Sequence, residues 1–185
     1  MRQILISLRV LAVLSLVTGV FYPLLVTFFA KTFVPEKAEG QLLRRDSNVV
    51  GSELLAQKFS SPGFFWPRPS ASDFNGGAAG ATNLAATSLS LQKQVRERAE
   101  LFKDGHPAGD IPPELLFASG SGLDPHLSPA AAEYQIERVA RHRKLEVSTV
   151  RHLVQSLTED RQWGILGKSR VNIFKLNRAL EEMSP

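Results

Sequence analysis

The chain has 185 residues, of which 43% are hydrophobic and 22% charged, with a formal net charge of +4. This length suffices for one compact domain and leaves no room for two large ones. The absence of cysteine excludes a disulfide framework, a thiolate zinc site and a cysteine nucleophile.

The first predicted element is a long apolar helix. Residues 10–30 carry no charged side chain, and at about 1.5 Å per residue they reach about 31 Å, the thickness of a bilayer core. A cleaved secretory signal would have an apolar stretch of only about 7–15 residues that ends in small residues. This stretch is longer and ends near Phe28 and Phe29, so we predict a single uncleaved transmembrane helix over 10–30.

The charges around this helix predict its orientation. Arg2 and Arg9 precede it, and the positive-inside rule therefore places a head of residues 1–9 in the cytoplasm. Residues 31–185 then form a periplasmic or extracellular domain. Basic residues after the helix oppose this assignment, although a long following domain crosses largely regardless of its own charge; they are Lys31, Lys37, Arg44 and Arg45.

One face of the apolar helix predicts contact with another protein. Small and polar residues recur at helical spacing, and a proline follows; they are Ser15, Thr18, Gly19, Tyr22 and Pro23. Small residues allow helices to approach closely in lipid, and Tyr22 lies too near the membrane midplane for its hydroxyl to reach water easily. Because Pro23 lacks an N–H for the Gly19 carbonyl, we also expect a kink near Gly19. The alternative is that Pro and Gly are ordinary in spanning helices.

The first half of the exterior part predicts little regular structure. Leu42–Arg45 and Val49–Val50 flank the turn-forming residues 46–48, which predicts a hairpin. Periodicity does not settle the type of the apolar run 54–59. The proline-rich stretch 64–70 predicts irregular extended backbone, and the glycine-rich stretch 74–86 predicts a loop.

The second half predicts helices. An amphipathic helix is expected over 91–103, ending at Gly105. Ser128 is a predicted N-cap, with Pro129 opening a helix that ends near Arg143 and a second helix beginning at Ser148. Residues 171–173 predict a strand or cap, and a terminal helix has an apolar stripe of Leu176, Ala179, Leu180 and Met183. Together these elements predict a small α+β domain.

Motifs for catalysis and cofactor binding do not assemble. Gly167-Lys168-Ser169 ends like a phosphate-binding loop, but the required glycine is missing because position 162 is Gln. The four histidines include no i, i+4 pair that could hold a metal on one helix face. We therefore predict no catalytic, metal or cofactor residues in this chain.

A cluster of basic residues between two predicted helices offers an alternative function. It imitates a DNA-binding helix-turn-helix and consists of Arg138, Arg141, His142, Arg143 and Lys144. A basic helix end that complements the helix dipole explains the same pattern. A membrane-tethered regulator that binds nucleic acid is therefore the second hypothesis, and an enzyme is the third.

The order of short motifs resembles a known family. The motifs include Thr18–Pro23, 51–59, 64–71, 118–131 and 171–177, and they run through nearly the whole chain. Together they are similar to the C subunit of the bacterial Kdp potassium-transporting P-type ATPase. Two departures are residues 79–83, where the family has Ser-Gly-Gly-Ser-Asn, and Ser169, where it has proline. The first puts any nucleotide-contact role of that stretch in doubt.

The resemblance implies an accessory, non-catalytic subunit in the bacterial inner membrane. Its partners would be an A subunit that conducts potassium and a B subunit that hydrolyses ATP, and these would handle ATP, magnesium and potassium. The family is also proposed to raise the ATP affinity of the B subunit. Since an exterior domain cannot touch cytoplasmic ATP, we expect any such effect to be indirect.

Candidate contacts with these partners in the exterior domain are Phe64, Trp66, Arg68 and Asp124. Core aromatic residues, a solvated arginine and a helix-approach cap explain the same four residues without a partner.

Overall fold

The chain folds as an apolar N-terminal helix and a small α+β region, as the sequence predicts. The computed structural model describes residues 1–45, 48–103 and 109–183. They separate into two compact units, Met1–Ser52 and Glu53–Pro185.

The first unit begins with the long helix. It comprises α1 (Arg2–Leu16), a π-helical turn (Val17–Phe21) and α2 (Tyr22–Phe33). Within the described residues, this is the one helical segment long and apolar enough to cross a membrane, and none of its residues is buried. It extends beyond the predicted 10–30 at both ends.

A short helix and a hairpin complete the first unit. Helix α3 (Pro35–Ala38) is followed by β1 (Leu42–Arg45) and β2 (Asn48–Ser52), which pair antiparallel. The predicted hairpin is confirmed, but Asn48 belongs to β2 and not to the turn, because it pairs with Arg45. The other two predicted turn residues, Asp46 and Ser47, lie outside the described residues.

The second unit opens with irregular backbone up to residue 88. The predictions of irregular structure over 64–70 and of a loop over 74–86 are confirmed, and the run 54–59 is neither helix nor strand. Helix α4 (Leu89–Leu101) begins two residues before the predicted start. It ends before Gly105, which lies outside the described residues. The four-residue helix α5 (Pro113–Leu116) follows.

A three-stranded antiparallel sheet lies at the centre of the second unit. Its strands are β3 (His126–Leu127), β4 (Thr158–Glu159) and β5 (Arg170–Asn172), in the order β3-β5-β4. Residues 171–173, predicted as a strand or a cap, contribute to both structures. Asn172 ends β5, and its side-chain oxygen accepts a hydrogen bond from Lys175 N at 3.1 Å.

Three helices pack with this sheet. Helix α6 (Pro129–Arg143) has the predicted Ser128 cap, whose hydroxyl oxygen accepts a hydrogen bond from Ala131 N. Helix α7 (Val147–Ser156) begins one residue before the predicted start, and α8 (Ile173–Glu182) ends the fold. Leu176 and Leu180 are buried as predicted, but Met183 is 38% exposed. The prediction that Met183 belongs to the apolar stripe of this helix is wrong, because α8 ends at Glu182.

The core lies between these helices and the sheet. It includes residues from all three helices and from β5, together with Phe65 from the irregular segment; among them are Ile136, Val139, Val150, Val154, Val171, Leu176 and Leu180. Phe65 is completely buried. A segment without regular structure is therefore held against the core, and three of the predicted contact residues, Phe64, Trp66 and Arg68, lie on it.

Candidate functional site

The predicted packing face of the apolar helix coincides with the π-helical turn. The N–H of Tyr22 donates to the carbonyl of Val17, five residues earlier. Pro23, next in the chain, has no N–H to offer, which accounts for disturbed helical bonding at this point. A π turn adds width to the helix and is frequent at functional positions.

The side chains of this face are open to their surroundings. Ser15, Thr18, Gly19, Tyr22 and Pro23 are all exposed, and a Cβ added to Gly19 would meet no atom within 4 Å. The hydroxyl of Thr18 donates to Leu14 O at 2.7 Å, within its own helix. Its hydrogen is therefore used locally, and the small surface at Gly19 is the main feature left for a neighbour.

In the second unit, two buried amide side chains hold the irregular segment 62–68. Asn177 of α8 accepts a hydrogen bond from Phe65 N at 2.8 Å and donates to Phe65 O at 2.9 Å. Gln135 of α6 does the same for Trp66, at 2.8 Å and 3.1 Å. Each amide thus replaces a neighbouring strand, because it satisfies both main-chain groups of one residue.

Two arginines of α6 hold the same segment by charge. The Arg138 guanidinium donates to Phe64 O at 3.0 Å, to Pro62 O and to Gln135 Oε1 at 2.7 Å. Burial lowers the pKa of Arg138 to about 10, so it remains charged at neutral pH. Arg143 donates to Gly63 O at 2.7 Å, and its Cζ lies 4.5 Å from the centroid of the Phe64 ring.

These contacts weaken the nucleic-acid hypothesis. Arg138 is only 3% exposed, and both Arg138 and Arg143 bind the chain's own carbonyl groups. A helix-turn-helix needs such side chains on its surface to reach phosphates and bases. Two of the five residues that suggested it are engaged inside the domain.

Arg68 and Asp124 form an ion pair, with Nη1 and Oδ2 3.0 Å apart. Asp124 also accepts a hydrogen bond from His126 N at 3.0 Å, at the start of β3; this is a local turn contact and not a helix cap, since Ser128 caps α6. Burial by itself raises the pKa of Asp124. The hydrogen bonds from His126 and Arg68 and the charge of Arg68 outweigh it, so this pKa lies below its usual range.

The structure therefore brings the four predicted exterior residues together in two linked places. Phe64, Trp66 and Arg68 lie on the held segment, and Asp124 pairs with Arg68. The four residues are partly buried. Internal contacts engage the Trp66 indole N–H, Arg68 Nη1 and both Asp124 oxygens, whereas Arg68 Nε is buried without a hydrogen-bond partner among the described residues. Contact with a partner subunit stays a prediction.

Sequence reasoning missed that Gln135 and Asn177 hold the segment, and it gave Arg138 a different role, in a basic cluster. A signal was available, because each is a polar residue at a position that the helical period places among buried apolar ones. Buried polar side chains need partners, and the irregular segment had main-chain groups to satisfy.

A cavity of about 440 Å³ lies beside α4, and several polar side chains line it; its residues are Ser70, Ala71, Ala81, Thr82, Leu84, Ser90, Gln94 and Arg98. Burial lowers the pKa of Arg98. Its guanidinium donates to Leu116 O at 2.7 Å and Gln94 Oε1 at 3.1 Å. No group of three His, Asp or Glu side chains within the described parts of the chain could hold a metal ion.

Comparison with known proteins gives a consistent result. Residues 4–182 match the family model described as "KdpC: K+-transporting ATPase, c chain". A potassium-transporting ATPase KdpC subunit of Methylococcus capsulatus is 45% identical over 182 residues, with 96% of each chain covered. The corresponding subunits of Leptospira interrogans and Dechloromonas aromatica are 44% and 46% identical, covering 95% and 97% of this chain and 92% and 95% of theirs.

Proposed function

Because the chain belongs to the KdpC family of potassium-transporting ATPase subunits, we propose that it is an accessory, non-catalytic subunit of an ATP-driven potassium uptake complex. Its partners in this proposal are a potassium-conducting A subunit and an ATP-hydrolysing B subunit. The observation that carries the proposal is the family match over residues 4–182, which includes both the apolar helix and the α+β unit. These features fit a membrane-associated protein.

The proposal includes an orientation in the bacterial inner membrane. The helix crosses once over residues 10–30, residues 1–9 face the cytoplasm, and residues 31–185 lie outside. Arg2 and Arg9 support this, because positive charges are retained on the cytoplasmic side. A reporter fused after Pro185 tests it. Alkaline phosphatase there is expected to be active, and fluorescence of a cytoplasmic reporter at the same position would contradict the orientation.

Within the bilayer, the helix is proposed to pack against transport-subunit helices through Ser15, Thr18, Gly19, Tyr22 and Pro23. The open surface at Gly19 supports this, since small residues let helix backbones approach closely where lipid supplies no hydrophobic driving force.

The α+β unit is proposed to rest on the exterior face of the A subunit and to stabilise or gate it. Phe64, Trp66, Arg68 and Asp124 are the contacts predicted from sequence. Their partial exposure supports the proposal, while their internal bonds give them a structural role that contact would not replace.

ATP, magnesium and potassium are handled by the partner subunits in this proposal. An increase in the ATP affinity of the B subunit would then be transmitted through the assembled complex. Purified complex with and without this chain provides the test. Potassium-stimulated ATPase activity is expected to fall, or the ATP concentration for half-maximal rate to rise, when the chain is missing. The same maximal activity and the same ATP concentration for half-maximal rate in both preparations would overturn the accessory role.

A second measurement separates direct from indirect action on ATP. In sealed vesicles of known orientation, a photoreactive ATP analogue added to the cytoplasmic side is expected to label the B subunit. Labelling of this chain at residues after Ala30 would contradict both the exterior location and the indirect mechanism.

A further inference from the structure

Among the described residues of the second unit, the loop between β4 and β5 carries the most exposed large apolar side chain. We call residues 160–169 the tip loop. Its side chains include Trp163, Ile165 and Leu166, which are 87%, 75% and 49% exposed. A cluster of large apolar side chains that are this exposed is typical of an interaction site and uncommon elsewhere on a protein surface.

The backbone of the tip loop is fixed. Gln162 and Leu166 exchange two main-chain hydrogen bonds, each 2.9 Å long. Trp163 has a φ of 52°, an uncommon conformation for a bulky residue, which the hydrogen-bonded turn imposes. Gly164, with a φ of 77°, continues the turn. The apolar side chains are therefore carried on a defined backbone turn.

The base of the tip loop is joined to the core. Thr158 pairs with Val171, and Glu159 with Arg170. Val171 is completely buried. The tip loop is thus connected directly to the central strand of the sheet.

Charge around the tip indicates its partner. Arg161 and Lys168 flank the apolar side chains, both are exposed, and neither belongs to an ion pair of the described residues. The carboxylate of Asp160, the acid nearest to them in the chain, accepts a hydrogen bond from Ser169. Residues 160–169 carry two basic side chains against the one carboxylate of Asp160, a formal charge of +1, so the complementary surface is an apolar socket with acidic groups at its rim.

We propose that the tip loop docks into such a socket on the exterior face of the potassium-conducting A subunit, with Trp163 as its central anchor. This inference rests on the proposed function, which supplies the partner. The fixed backbone favours a protein over a bilayer, because a preformed arrangement lowers the cost of docking to a shaped surface, whereas fluid lipid accepts apolar side chains in any arrangement. Exposed Trp residues of this kind dominate binding energy at protein interfaces.

Because the chain contains no cysteine, single cysteines give a specific test. Full-length Ile165→Cys chain is treated with a maleimide polymer, and its mobility shift on a gel is followed over time. The matched control is Leu89→Cys, on α4, where the side chain is 81% exposed. Each variant is compared in detergent alone, in lipid nanodiscs alone and in the purified complex.

Docking predicts that labelling of the Ile165→Cys variant slows at least about ten-fold only in the complex, while the control variant reacts rapidly in all three states. Equal labelling of the Ile165→Cys variant in complex and detergent would overturn the inference. Protection in nanodiscs without other subunits would identify lipid as the occupant, and protection in detergent that grows with concentration would identify a second copy; either result overturns it.

A binding measurement completes the test. The triple variant Trp163→Ser, Ile165→Ser, Leu166→Ser is expected to bind the other subunits about thirty-fold more weakly, the size of a lost anchor cluster. Leu89→Ser is expected to bind normally. If wild type co-purifies and the triple variant binds equally well, the inference fails and the proposed function stands. If wild type itself does not co-purify, the proposed function fails.

Discussion

The guanidinium of Arg138 lies over the indole ring of Trp66, with Cζ 3.9 Å from the ring centroid. The same guanidinium donates to main-chain carbonyls of the segment that carries Trp66. A buried positive charge is thus stabilised by carbonyl dipoles and an aromatic face. The contact joins the irregular segment to α6 and makes the segment part of the core.

Replacement of Arg138 by Met should destabilise the second unit by about 2–4 kcal/mol, because the carbonyls of Pro62 and Phe64 would lose a buried donor. Urea unfolding followed by circular dichroism measures the change. Arg141→Met, at an exposed position of the same helix, should cost less than about 0.5 kcal/mol. Equal effects of the two variants would show that the internal role of Arg138 is wrong.

Asn177→Leu should cost about 1–3 kcal/mol, since it keeps the branched shape of the side chain but leaves the N–H and C=O of Phe65 without partners. The same unfolding measurement applies. Gln155→Leu, at an exposed position on α7, is the control and should be nearly neutral. A stability gain at position 177 would contradict the view that this amide replaces a strand.

Gly122→Ala should destabilise the loop before β3 by about 1–3 kcal/mol. Gly122 has a φ of +70°, and an added Cβ would lie 2.9 Å from Gly80 O. Gly120, two residues earlier, has nothing within 4 Å of such a Cβ, so Gly120→Ala should be tolerated. Thermal unfolding compares the two variants, and the Gly122→Ala variant should melt at the lower temperature. Similar melting temperatures would contradict the prediction.

The ion pair of Asp124 predicts a pH dependence. Because its folded pKa is depressed, its contribution to stability is present above the ordinary aspartate pKa of about 3.9 and is lost as pH falls through the lower folded value. Wild type should therefore be more stable than Asp124→Asn at about pH 6, and the difference should shrink below about pH 4. Asp110→Asn, at an exposed position, is the control; a gap independent of pH would contradict the prediction.

The helix surface at Gly19 can be tested with the whole complex. Thr18→Leu combined with Gly19→Leu should reduce recovery of the chain with tagged partner subunits several-fold, because bulk there separates the helices. Val13→Leu, outside the proposed face, should leave recovery unchanged. Full recovery of the double variant would count against a packed face.

Local sequence features predicted the elements whose cause is local. The Ser128 cap, the proline at position 129 and the apolar period after it correctly predicted α6. The apolar composition of residues 10–30 likewise predicted the long helix. Neither period nor composition predicted the π turn at Val17–Phe21, because its cause is a shift in main-chain bonding next to one proline.

The predicted contact residues show more clearly what local sequence features cannot predict. The sequence indicates Phe64, Trp66, Arg68 and Asp124 as contact residues but does not indicate which side chains they contact within the domain. The structure supplies that, since Gln135, Arg138 and Asn177 reach the segment from positions about 70 to 110 residues further along the chain.

The sequence by itself thus determined the apolar stretch long enough to span a membrane, the caps and apolar period that define the helices, and the family. Tertiary structure alone decided that an irregular segment is held by buried amides and guanidinium groups, and that the tip loop stays uncovered. The reason is physical. Helical period and apolar length are properties of neighbouring residues, whereas the satisfaction of a buried polar group depends on which distant side chain the fold brings within hydrogen-bonding distance.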